Sequence, residues 1–114
     1  MSKYLIKGAS LYGEKVADIL IEDGVISRIA ENIDAADAQV VEAAGQVALP
    51  GLVDIHTHLR QPGYEASETV ETGTRAAALG GYTAVFAMAN SMPVADTAAV
   101  VEQVDRLGKE SGWC

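Results

Sequence analysis

The stretch "PGLVDIHTHLRQPG", residues 50–63, holds the only two histidines of the chain, His56 and His58, one residue apart. Residues 48–58 read as an extended strand, in which side chains two apart point the same way. Asp54, His56, His58 and Arg60 then share one side, and Val53, Ile55, Thr57 and Leu59 the other. The second set suits a buried outer face. The first set is polar where a strand interior is not, which is the pattern of a site. Two imidazoles so placed can reach one Zn²⁺, but hydrolytic zinc takes three protein ligands and an open position for water. The chain has no third histidine, and its single cysteine, Cys114, lies far along the sequence. An isolated His-x-His pair is more often chance surface histidine than a ligand pair. Its place at the end of a strand that opens a βα pattern shifts that balance toward a site.

Beyond the histidines, "LRQPGYEAS" (59–67) is a loop, and "ETVETGTRAAAL" (68–79) predicts a helix with Ser67 as N-cap and Gly80 as stop. Gly73 costs that helix about 1 kcal/mol relative to alanine, which points to close packing on a sheet. "YTAVFAM" (82–88) is a continuous apolar run, as expected of a strand buried on both faces. "NSMPVAD" is a loop, and Asp96 can cap a second helix over 97–111, where Val100, Val101, Val104 and Leu107 form one stripe. Gly112 ends that helix, and Trp113-Cys114 reads as the start of another strand. The second half is therefore β-α-β-α. A (β/α)8 barrel takes about 250 residues, about 31 per unit, so residues 51–114 supply about two units and the expectation is a truncated barrel.

Working back from residue 50, the chain reads as short strands. "KYLIKGASLY" is followed by a turn at 13–15, and "VADILIE" and "VISRIA" flank Asp23-Gly24, a strong hairpin signal. "ENIDAADAQ" (31–39) is a polar connection, and "VVEAAGQVALPG" follows it. Residues 1–50 are expected to form the N-terminal part of a small β-sandwich-like domain, and 51–114 the first two βα units.

The bulk composition agrees with an ordinary globular chain: 114 residues, 49% hydrophobic and 21% charged. Its 8 basic against 16 acidic side chains give a net charge of −8, which attracts neither nucleic acid nor an anionic membrane. "MSKYLIKGAS" has no apolar core of the kind a secretory signal needs. Residues 76–95 are uncharged over about 20 positions, the length of a membrane span, but Gly80-Gly81 and "ANSMP" break them into a helix end, a strand and a loop. With one cysteine no intramolecular disulfide can form, and the expected compartment is the cytoplasm.

The quoted residues carry a resemblance. "ALPGLVDIHTHLRQPG" resembles the first-strand signature of the amidohydrolase superfamily, and its "HxHLRxPG" form resembles the dihydroorotase family in particular. "ETVETGTRAAALGGYTAVFAMAN" is similar to the helix and second strand that follow in that family, and "YLIKGASLY" with "ADILIEDGVISRIA" to its small leading β-domain. The resemblance implies an α/β fold, the start of a metal-dependent (β/α)8 TIM-like barrel preceded by a small β-domain. It implies that His56 and His58 are metal ligands for one or two Zn²⁺ ions whose remaining ligands lie outside this chain. His58, Arg60 and Asn90 are implied to bind substrate, Arg60 through a fork matched to a carboxylate and Asn90 through the same group. Asp54 either orients a ligand or is an ordinary strand-end carboxylate. Without the resemblance, Asn90 reads as a turn former ahead of Pro93. The chain has "AMANS" where many members read "PMPNT", so Ala87, Ala89 and Ser91 depart from the pattern while Asn90 keeps it.

The implied reaction is reversible hydrolysis of dihydroorotate to N-carbamoyl-aspartate in pyrimidine biosynthesis. Its catalytic aspartate, bridging ligand and later histidines belong to later strands, so no catalytic residue is expected here. The implied partner is a small-molecule substrate, with a homo-oligomer or an association with aspartate transcarbamoylase as the assemblies open to it. Three alternatives stand beside this reading. One is a hydantoinase or allantoinase, which has the histidine pair but no substrate carboxylate to bind. Another is a non-catalytic scaffold subunit of aspartate transcarbamoylase. The third is a fragment without activity of its own.

Overall fold

Asp23 and Gly24 fold as the sequence predicts. Their φ angles, 49° and 81°, are both left-handed, the requirement of the tight turn whose twist matches the flanking strands. The turn joins β2 (Lys15–Glu22) to β3 (Val25–Ala30) as an antiparallel pair. In the computed structural model, which describes residues 2–114, the chain divides into two compact units, Met1–Pro50 and Gly51–Cys114.

The first unit is one mixed sheet. β1 (Lys3–Leu11) lies antiparallel to β2 and parallel to β4 (Gln39–Glu42) and β5 (Val47–Ala48), giving the order β3-β2-β1-β4 with β5 also on β1. Leu5 stands opposite Leu20, and both pack with Ile33 to form the core of this unit. Ile33 and the adjoining Ala35 and Ala38 come from the stretch read as a polar connection, so that connection supplies the cover of the sheet. Asp18 is buried, and its carboxylate accepts the Ile33 N–H at 3.0 Å and the Gly8 N–H at 2.8 Å. Those two bonds hold its carboxyl below the usual range and pin the covering segment to the sheet.

The second unit runs β6 (Leu52–Thr57), α1 (Val70–Leu79), β7 (Tyr82–Ala87) and α2 (Ala98–Ser111), with β6 and β7 parallel. Helix α1 starts two residues later than the sequence suggests. Its N-cap is Thr69, not Ser67, because Thr69 and Thr72 close a reciprocal capping box that Ser67 cannot make. Gly73 is buried, but its neighbours are the Leu59 and Glu68 side chains rather than a strand face. Thr97 rather than Asp96 holds the N-cap position of helix α2, without a side-chain capping bond, and the helix ends at Gly112, whose φ of 69° is left-handed. No strand begins at Trp113-Cys114. The expected burial of β7 on both faces is not met, since Phe86 is 58% exposed, and neither is that of the outer face of β6, where Ile55 is 75% exposed. In α2 Val100, Val104 and Leu107 are half-buried, whereas Val101 is exposed. Among the described residues no helix is long and apolar enough to cross a membrane.

Candidate functional site

Strand β6 stops at Thr57, whose carbonyl accepts the Met88 N–H at 2.9 Å just past the end of β7. The two parallel strands thus end at one level, and the residues that follow each are brought side by side. Such strand ends are where the backbone is free to aim side chains at a ligand. His58, the first residue past β6, meets Asn90, beyond the end of β7, through an Nδ1···Oδ1 contact of 3.0 Å. The His56 and His58 rings have centroids 5.1 Å apart at 66°.

That spacing is informative. Two imidazoles each about 2.0–2.1 Å from one tetrahedral Zn²⁺ have their centroids about 5 Å apart, a separation this pair matches. Imidazole nitrogen is also a donor type zinc accepts readily. Among the described residues no group of three or more histidine, cysteine or carboxylate side chains is placed to enclose a metal.

The remaining expected residues are placed less simply. The Asp54 Oδ1 accepts the backbone N–H of His56 at 2.9 Å, which holds the end of the strand. Arg60 does not continue the strand alternation with His58. Its φ of 58° is left-handed, turning the chain sharply out of β6, and a non-glycine residue there costs about 1–2 kcal/mol. Strain of that kind collects at binding sites. The Arg60 side chain is exposed and forms no ion pair among the described residues.

Three positioning features escaped the sequence reading. Gln61 Oε1 accepts the Val70 N–H at 2.9 Å, tying the loop after β6 to the start of α1. The Pro62 carbonyl accepts the Met92 N–H at 2.9 Å, tying the same loop to the one that carries Asn90. Gly63 has a φ of 101°, and a Cβ there would run into the Met92 backbone carbonyl. The "PG" after the arginine was the available signal, since a glycine following a proline in a loop marks a turn or a close approach. An open cleft of about 740 Å³, lined mostly by apolar groups including Leu59, Val85, Phe86, Val104 and Trp113, does not include His56, His58, Arg60 or Asn90.

Comparison with known proteins extends these observations. A family model described as Dihydro-orotase-like matches residues 45–111. The chain is 65% identical over its whole length to a dihydroorotase of Streptomyces coelicolor, covering 27% of that protein. It is 53% identical to a dihydroorotase of Mycobacterium tuberculosis over 95% of this chain and 26% of the relative. The chain thus spans about a quarter of the length of the curated relatives it matches. Among solved structures, the L-hydantoinase of Arthrobacter aurescens superposes with a TM-score of 0.83 at 24% identity, over 95% of this chain and 25% of that one. The dihydropyrimidinase of Brevibacillus agri gives 0.67 at 36% identity, over 76% of this chain and 20% of that one. The fold is the N-terminal part of these amidohydrolase barrels.

Proposed function

Because the chain belongs to the Dihydro-orotase-like family, we propose that it carries the first metal ligands and the carboxylate-binding groups of a zinc-dependent dihydroorotase, which reversibly hydrolyses dihydroorotate to N-carbamoyl-aspartate. The observation that carries this reading is the run from His56 to Arg60, with the paired rings at 5.1 Å and Asn90 delivered to His58 from the neighbouring strand. His56 and His58 hold the ion. When bound, zinc supplies Lewis acidity and a water whose pKa falls to about 7. Arg60 grips the substrate carboxylate with two parallel N–H donors, and the Asn90 amide donates to the same group. With a net charge of −8, the chain repels an anionic substrate at long range, so capture depends on these local donors. A cytoplasmic enzyme of pyrimidine synthesis, as a homo-oligomer or beside aspartate transcarbamoylase, is the setting this reading entails.

The runner-up is a hydantoinase, favoured by the likeness to the hydantoinase and dihydropyrimidinase structures. Arg60 separates the two, because a neutral cyclic amide has no use for a carboxylate clamp. The test is ring opening of dihydroorotate by the purified native protein, with zinc content measured in parallel. His56→Ala or His58→Ala is expected to abolish turnover and to lower bound zinc, since each removes a ligand. Arg60→Lys keeps the charge but loses the fork, and is expected to raise KM for dihydroorotate about tenfold. Full turnover without both histidines, or a preference for hydantoin that Arg60→Lys leaves untouched, overturns the reading.

A further inference from the structure

We infer that Asn90 is a positioning residue for His58, its Oδ1 accepting the Nδ1–H of the neutral ring and so leaving the Nε2 lone pair for a metal ion. A neutral imidazole carries one N–H, and an amide oxygen can only accept. A 3.0 Å contact between His58 Nδ1 and Asn90 Oδ1 is therefore a hydrogen bond only in the Nδ1–H form. With that nitrogen engaged, Nε2 is the only one left to donate to a cation, and the partner of the other nitrogen sets which tautomer a metal-binding histidine adopts. Among the described residues no other hydrogen bond reaches the His58 ring. The Oδ1 of Asp54 is taken by the His56 backbone, and the guanidinium of Arg60 has no acceptor to offer.

The amide has two ends, and the second end is unused. Asn90 is exposed, and its Nδ2 makes no hydrogen bond among the described residues. One side chain thus orients the metal ligand with its oxygen and keeps two N–H donors for an anionic substrate group. The metal consequence rests on the zinc reading above; the tautomer itself rests only on the hydrogen bond.

The experiment follows the imidazole nitrogens by ¹⁵N NMR in the metal-free native protein, labelled at histidine and held in alkaline buffer, with His58 assigned by its loss in His58→Gln. Wild type is expected to show Nδ1 protonated. Asn90→Ala should shift the ring toward the Nε2–H form that free histidine prefers. Asn90→Asp retains the acceptor oxygen and should keep the wild-type tautomer. Chelator competition should then show zinc bound about 10–100-fold more weakly by Asn90→Ala, the usual cost of losing a ligand's outer partner. Asn90→Asp should hold zinc as tightly as wild type or tighter, while losing the amide donors and raising KM for dihydroorotate. A wild-type tautomer in Asn90→Ala, or equal loss of zinc in the two variants, overturns the inference. A protein that binds no zinc yet shows the Asn90-dependent tautomer supports the positioning role and defeats the zinc reading instead.

Discussion

Replacing Gly63 by alanine tests whether the site is held by backbone contact between the two loops. Gly63 sits at φ 101°, a region that costs an L-residue about 1–3 kcal/mol. Its new Cβ would also meet the Met92 carbonyl and Cα, which are backbone atoms and cannot swing aside as a flexible side chain could. Forcing an extra carbon into a filled space adds about 1–3 kcal/mol. Gly81 supplies the control: its φ of 88° is comparable, yet a Cβ there meets nothing within 4 Å. Gly81→Ala should therefore show the conformational cost alone, and Gly63→Ala that cost plus the clash. The Pro62–Met92 hydrogen bond, worth about 1 kcal/mol, is weaker than the clash and gives way first. The loop bearing Asn90 then moves off, and His58 loses its partner. Thermal melts of both variants of the native protein, read beside the His58 ¹⁵N spectrum, decide the matter. The reasoning fails if Gly63→Ala melts no lower than Gly81→Ala, or if it melts lower with the His58–Asn90 signature intact.

Two further outcomes follow from the geometry. The Asp18 carboxyl has its folded pKa lowered by the Ile33 and Gly8 N–H groups, so its contribution is present above the unfolded aspartate range and is lost as pH falls through the lowered folded value. Urea midpoints should decline across that acidic window in wild type and be lower but flatter in Asp18→Asn; parallel curves would refute the role. Residues 1–114 expressed alone should self-associate and bind a hydrophobic dye, because Ile55 at 75%, Phe86 at 58% and Val53 at 54% exposure lie on a two-stranded parallel sheet with unpaired edges. A monomer on size exclusion with a sharp melt and no dye binding would refute this.

What was legible in the sequence was local. Asp23-Gly24 specifies its turn through the backbone alone, and the β6-α1-β7-α2 order follows from runs whose period changes at glycines. Several errors arise where contacts come from residues distant in sequence or where near-equivalent neighbours compete. Ser67 and Thr69 are both acceptable caps, and only the Thr72 hydroxyl answering Thr69 decides between them. Ile33 reads as the one large apolar residue in a stretch of alanines and polar groups, and the Asp18 carboxylate reaching its N–H shows that the segment folds over the core. His58 and Asn90 stand 32 positions apart, so their hydrogen bond cannot be read from spacing.

The alternation argument succeeded for the wrong length of chain, and the point where it failed has a functional sense. It places Asp54, His56, His58 and Arg60 on one side, but strand geometry governs only residues as far as Thr57. Past that point the chain must leave the sheet, and Arg60 does so in the left-handed region at φ 58°. Had the strand continued, Arg60 would follow His58 at the fixed repeat of about 6.6–6.8 Å for two residues, locked to the same line as the histidines. The turn releases it from that line and leaves it exposed, joined through Pro62 and Gly63 to the loop that brings Asn90. Zinc requires donors held to within tenths of an ångström, whereas a carboxylate clamp must approach a substrate from its own direction. On the function proposed above, His56 and His58 at the strand end and Arg60 on a sharply turned, tethered loop would meet these two demands within five residues.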